Sequence, residues 1–228
     1  CQIDSIAQSW SVLSGAAPDD RVQRALDSLN THLVRADVGL IQLLDPPFDK
    51  SPLDPGYIRG YVPGVRENGG QYTHAAIWAV MAFVEAGRTE QAWQLFNMIN
   101  PLRHGLTRED VERYKVEPYV AAADVYAIEP HVGRGGWTWY TGSAGWFYRL
   151  IIESLLGIHR EGDRLRIDPR LPASWPGFRF TYRFGTATYR FHIVGTTDAA
   201  ITNGGTRIDL VDDGEEHVIE IRVARAQS

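Results

Sequence analysis

Apolar residues return at the helical period over roughly the first two thirds of the chain and at the period of a strand over the last third. Ile3, Ile6, Trp10 and Leu13 share one helical face, and Gly15 follows where a C-cap glycine belongs. Pro18-Asp19-Asp20 opens a second helix with acidic residues in its first turn, where the helix dipole favours them. Val22, Ala25, Leu26, Leu29 and Leu33 form its apolar side. Spacing and caps predict further helices over 73–86, 89–99 and 107–113, and a last one from Ser143 to Leu156 that stops at Gly157. Asp45 to Gly56 is too rich in proline for a helix or a central strand, so a long loop is expected there, and 114–140 is also loop-rich.

After Gly157 the period changes. Leu165-Arg166-Ile167 is a short alternating run, and Phe178 to Tyr182 and Thr188 to Ile193 alternate cleanly. Asn203-Gly204-Gly205 and Asp212-Asp213-Gly214 are turn signals, and His217 to Val223 gives a final strand. Helices followed by strands predict two segregated parts, residues 1–157 and 158–228, with the boundary near 157–160.

Composition narrows the function. The 228 residues carry a net charge of -5 and show no basic stripe, which argues against nucleic acid as a partner. The 7 Trp and 10 Tyr often stand beside glycine or polar residues, as rings that stack on sugars do, although aromatics also fill cores. The single cysteine, Cys1, excludes an internal disulfide and fits a reducing, cytoplasmic setting. No apolar run reaches the length of a membrane span. The chain begins at Cys1, without Met and in what reads as helix, so it is expected to be part of a longer protein.

Two polar stretches that each feed a helix hold the candidate chemistry. Arg66-Glu67-Asn68-Gly69-Gly70-Gln71-Tyr72-Thr73-His74 brings a cation, a carboxylate, an amide, a glycine pair and an imidazole together. His74, at a helix start, can hold an anion or simply brace the loop. In the second stretch, Gly135 to Trp146, Thr141, Gly142 and Ser143 can cap the helix or bind phosphate if their free N–H groups face a cleft, and Trp137, Trp139 and Trp146 surround them. Glu67 and Glu117, the latter within Val116-Glu117-Pro118-Tyr119, can bond sugar hydroxyls, act as acid or base, or pair with Arg66 and Lys115. Asp124 interrupts an apolar run and reads as a buried hydrogen-bonding group. His104 and His131 lie in loops without metal-ligand spacing, and no metal site, phosphate-binding P-loop or nucleotide-binding glycine motif is visible.

At these residues the chain resembles the C-terminal portion of glycoside hydrolase family 94, the inverting disaccharide phosphorylases. The resemblance rests on Gln8-Ser9-Trp10, Glu67-Asn68-Gly69-Gly70 with His74, Glu117-Pro118-Tyr119 and Trp139-Tyr140-Thr141-Gly142-Ser143. Within that family it is closer to the phosphorylase-like region of the cyclic β-1,2-glucan synthases, through Val62 to His74, Tyr114 to Tyr119 and Gly133 to Gly142. The resemblance implies the last part of an (α/α)6 barrel over 1–157, then a small antiparallel, jelly-roll-like β-sandwich over 158–228.

The resemblance also implies a phosphate site at His74, Thr141, Gly142 and Ser143, and sugar contacts from Arg66, Glu67, Asn68, Glu117, Tyr119, Trp137 and Trp139. The family expects a glutamine after Glu-Pro-Tyr, where this chain offers Asp124 as a substitute. The general acid and an arginine that binds phosphate belong to an upstream segment, so no catalytic acid is assigned within the chain. Inorganic phosphate is then a co-substrate rather than a bound cofactor, and the partners are a β-glucan or oligosaccharide, phosphate or glucose 1-phosphate, and the missing barrel half. Half a barrel leaves apolar faces to cover, which makes a homodimer one expectation. Two other readings stand beside this one: a non-catalytic glucan-binding module, and an inverting hydrolase of related fold with Glu67 as its base.

Overall fold

A computed structural model of the chain describes residues 1–139, 142–198 and 205–226. They form two compact units, Cys1–Tyr148 and Arg149–Ser228.

The first unit is mainly helical. α1 (Ser5–Leu13) starts later than the apolar spacing suggests, because Asp4 caps it: its Oδ1 accepts the N–H groups of Ile6 and Ala7 at 2.7 and 3.1 Å. α2 (Asp19–His32) keeps Asp19 and Asp20 in its first turn and His32 in its last, matching both ends of the dipole. Its Leu26 and Leu29, and Leu33 just beyond, are completely buried, each contributing roughly 1.5–3 kcal/mol. α3 (Thr73–Glu85) is buried along most of its length and packs against α1 and against α4 (Thr89–Ile99). α5 (Arg108–Tyr114) is capped by Thr107, whose Oγ1 accepts Asp110 N–H at 3.1 Å. α6 (Ser143–Arg149) closes the unit.

Short strand pairs, which a two-residue pattern cannot announce, tie the loops together. β1 (Ile3–Asp4) pairs with β4 (Leu44–Asp45), and β2 (Val34–Arg35) with β3 (Leu40–Ile41). For the site the important pair is β5 (Gln71–Tyr72) with β6 (Asp124–Val125), in the antiparallel register Gln71–Val125 and Tyr72–Asp124. Val125 bridges in turn to Gly135, and Thr73 N–H donates to Ala123 C=O at 2.9 Å. The two polar stretches, some sixty residues apart in sequence, are thereby laid side by side through the segment around Asp124.

The second unit opens with a π-helical run, Leu150–Leu155, where the periodicity predicts a plain α-helix to Leu156. Gly157 then turns the chain at φ 64°, and a Cβ there would strike the Asp168 carbonyl, so glycine is required. Six strands follow: β7 (Ile158–Glu161), β8 (Arg164–Ile167), β9 (Gly177–Phe184), β10 (Ala187–Thr196), β11 (Thr206–Asp209) and β12 (Glu216–Ala224). They form two sheets ordered β12-β10-β9 and β11-β8-β7.

One pairing departs from the antiparallel expectation. β10 and β12 run parallel from Thr188–Glu216 to Thr196–Ala224, because the chain crosses to β11 in the other sheet before returning. Ala187, Tyr189, Phe191 and Ile193 of β10 point inward and join Leu165, Ile167 and Ile221 in one apolar cluster fed by both sheets. The Tyr189 hydroxyl pins the approach to β12 by accepting Val211 N–H at 2.6 Å and donating to Val211 C=O at 3.1 Å. The turn predicted at Asn203-Gly204-Gly205 lies largely outside the described residues.

Candidate functional site

The site belongs to the first unit and has three parts. The first is a histidine set among aromatic rings. His74 occupies the first turn of α3, four residues before Trp78, so both project from one helix face. Their rings meet at 4.5 Å, and Trp146 of α6 approaches His74 and Trp78 at 5.5 Å each. Tyr72 stacks parallel to His74 at 6.4 Å, and Trp10 of α1 meets Trp78 edge-on at 5.3 Å.

Exposed Gly142 lies at the edge of the imidazole: a Cβ there would sit 3.6 Å from His74 Cε1 and 3.7 Å from Nδ1. Burial pushes the His74 pKa down and favours the neutral ring. Thr73 Oγ1, His74 Nε2 and Trp78 Nε1 are buried with no hydrogen-bond partner among the described residues. Buried polar atoms ordinarily have partners, so three such atoms on two adjacent turns of α3 set this wall apart. Thr141, expected here, lies outside the described residues. Ser143 begins α6 and is buried, which leaves Gly142 as the open position of the pair.

The second part is a cation held over rings. Arg66 adopts φ 51°, unusual for a residue with a side chain. Its guanidinium lies 4.9 Å from the Trp137 ring centre and 5.3 Å from that of Tyr61, with Glu67 Oε2 3.4 Å from its Nε. Asp124, expected as a substitute sugar contact, is only 1% exposed and cannot reach a ligand directly. Its Oδ2 accepts the Arg66 backbone N–H at 3.3 Å, and burial, the largest influence, pushes its pKa up.

Asn68 also departs from expectation. It is fully buried: its Oδ1 accepts Phe48 N–H at 2.7 Å while Nδ2 donates to Tyr61 C=O at 2.8 Å and Phe48 C=O at 3.2 Å. Its amide is spent on fastening the proline-rich loop, not on a sugar. Gly70 is constrained in the same turn, where a Cβ would lie 3.0 Å from both N and O of Arg66.

The third part is an open aromatic tier. Trp139, at φ 69° and 71% exposed, donates its indole N–H to Glu117 Oε1 at 2.9 Å. That bond holds the Glu117 carboxyl below its ordinary pKa, so the group is an anchored anion rather than a proton donor. Tyr119 meets the Trp139 ring edge-on at 6.5 Å. Tyr119 and Trp137 are also mostly exposed, Trp137 with the Arg66 guanidinium over its ring. The loop beneath is braced by Tyr114, whose hydroxyl donates to Val120 C=O at 3.1 Å and accepts Ala122 N–H at 3.4 Å.

Tyr61, Tyr72 and Trp78 join the site without having been singled out in the sequence. Trp78 had a readable signal, its i,i+4 relation to His74; Tyr61 had none, since only the fold of the loop brings it under Arg66.

A helical part followed by strands is also how the family comparison divides the chain. Residues 1–157 match the model described as "Glycosyl hydrolase 94 superfamily, catalytic domain", and 158–222 match "Glycosyl hydrolase family 65, C-terminal domain". The chain belongs to the glycosyl hydrolase 94 superfamily. Among individual relatives, the cyclic beta-(1,2)-glucan synthase NdvB of Rhizobium meliloti (strain 1021) is 52% identical over 85% of this chain, a stretch equal to 7% of that protein. N,N'-diacetylchitobiose phosphorylase of Vibrio proteolyticus is 31% identical over 82% of the chain and 23% of its own length. The 1,2-beta-oligoglucan phosphorylase of Listeria innocua serovar 6a is 26% identical over 73% and 17% respectively. The chain therefore spans no more than about a quarter of these relatives. Among the described residues no helix is long and apolar enough to cross a membrane.

Proposed function

We propose that the chain is the C-terminal part of an inverting glycoside phosphorylase acting on a β-1,2-glucan, and that it supplies the wall that holds phosphate. In this reading residues 1–157 complete an (α/α)6 barrel begun by an upstream segment, and 158–228 form its β domain. The observation that carries it is His74: an imidazole at the start of α3 whose pKa is pushed down by burial, with no partner for Nε2 among the described residues and Gly142 beside its Cε1–Nδ1 edge. Such a wall suits an anion that arrives already charged. An inverting hydrolase needs a second carboxylate to activate water, whereas phosphate needs only to be positioned.

His74 would donate to one phosphate oxygen, and the Gly142 N–H and Thr141 hydroxyl to others. Phosphate would attack the anomeric carbon from the face opposite the glycosidic bond, while an acid from the upstream segment protonates the departing oxygen, giving α-glucose 1-phosphate. Arg66, Glu67, Tyr119, Trp137 and Trp139 form the sugar side, with Glu117 acting through its hold on Trp139. The names of the Rhizobium and Listeria relatives support β-1,2-linked glucan as substrate.

The test is a phosphorolysis assay on β-1,2-gluco-oligosaccharides. The chain alone is expected to release no glucose 1-phosphate, and the chain joined to its upstream segment to release it in proportion to added phosphate. Free glucose as the product, independent of phosphate, would overturn the proposal.

A further inference from the structure

Asp124 is the buried carboxylate that the phosphate wall and the open ring tier leave unused. It sits in β6, opposite Tyr72, and is 1% exposed. Its Oδ2 accepts the Arg66 backbone N–H at 3.3 Å, and the backbone N–H of Trp137 also favours its anion. The two N–H groups belong to the two partners of one cation–π pair, Arg66 over Trp137 at 4.9 Å. Between them Gly136 leans its Cα on the carboxylate so closely that any Cβ would overlap Asp124 Oδ1, which itself has no partner among the described residues. Gly136 N–H also donates to the Asp124 main-chain carbonyl at 2.8 Å.

A buried carboxylate is a costly way to fill such a space. An apolar residue of similar size would be cheaper for folding, and an asparagine would turn an N–H₂ toward groups that are themselves donors. The carboxylate is the side chain that can draw in donors from two separate segments at once. Arg66 needs such a tie, because its φ of 51° is a conformation that a residue with a side chain adopts only when its surroundings fix it.

We infer that Asp124 is a positioning residue: by gripping the backbone at Arg66 and bearing on Gly136, it sets the Arg66 guanidinium over Trp137 and so fixes the shape of the sugar side. This rests on the reading of that side as a glucan subsite. Asp124 does not touch substrate, and its effect reaches the glucan only through the Arg66–Trp137 pair.

The experiment compares D124N, G136A and R66A with the wild type. In the chain itself, D124N and G136A are expected to shift the backbone amide resonances of Arg66 and Trp137 and leave that of distant Leu26 in place. In the enzyme carrying its upstream segment, all three are expected to raise KM for β-1,2-glucan about tenfold and leave KM for phosphate within about twofold. G136A reads the same contact from the other side, and R66A removes the guanidinium while keeping the backbone N–H that Asp124 accepts, so loss of one variant to misfolding does not end the test. Unmoved amides, equal rises in both KM values, or an unchanged glucan KM in R66A would each overturn the inference. Failure of the phosphorylase reading would show separately, as a wild-type enzyme that releases no glucose 1-phosphate; the amide arm still decides the Asp124 contact.

Discussion

His74 has a ring whose surroundings disfavour its charge, facing a position where the proposed ligand would favour it. Burial lowers its pKa from 6.5, so the neutral form is favoured by the fold. The stability that follows is fully present above the unfolded value near 6.5, begins to fall below it, and is lost as pH drops through the lower folded pKa. A bound anion acts in the opposite sense and raises the pKa, so binding near neutral pH should take up protons. Sulfate is the useful probe, because it does not itself titrate there. Calorimetry in two buffers of different ionisation enthalpy, on the protein with its upstream segment, should show uptake of up to about one proton per sulfate, absent in His74→Gln. Uptake that survives in His74→Gln would remove His74 from the anion site.

The loop Asp45 to Gly56 and the turn at Asn68 work as one element. Asn68 fastens the loop at Phe48 and Tyr61, and Gln42 Nε2 donates to Gly69 C=O at 2.8 Å beside it. Asn68→Ala strands buried backbone groups and should cost about 2–4 kcal/mol, read by denaturant unfolding. A loss below about 0.5 kcal/mol would show the loop is held by other contacts.

At this scale the sequence was most legible where period and caps agree. α4 is found at 89–99 as the spacing predicts, and α3 ends one residue short of expectation. The β5–β6 pair was illegible, since two residues carry no period and their partners lie over fifty positions apart. The same gap hid the roles of Asn68 and Asp124. Asn68 looks like a ligand contact beside its neighbours in sequence and becomes a brace once the fold brings Phe48 and Tyr61 to it, whereas Asp124 was legible as a buried hydrogen-bonding group but its partner, the Arg66 N–H, was not. The parallel course of β12 was equally hidden, because alternation reports a strand's face and not its direction.

For the whole molecule, two compact units carry different burdens: the first holds all the site residues named above, and the second closes on its own apolar cluster. The division at Tyr148 falls within the last helical run, whereas the change from helix to strand and the junction of the two family matches fall at 157–158. Family membership was legible because Val62 to His74 and Gly133 to Gly142 are long motifs with several constrained residues: Gly64, Arg66, Gly69, Gly133 and Trp139 by a positive φ, Gly70, Gly135 and Gly136 by a close approach, and Asn68 and Gln71 by buried amide bonds. The central claim is that His74 holds phosphate for attack on a glucan. The most direct measurement is the phosphate dependence of glucose 1-phosphate release by the protein with its upstream segment, comparing wild type with His74→Ala. A lost charge-assisted hydrogen bond of about 1.5–3 kcal/mol predicts a ~10- to 100-fold rise in KM for phosphate with the glucan KM nearly unchanged. A His74→Ala enzyme with wild-type phosphate dependence, or release of glucose without phosphate, would contradict it.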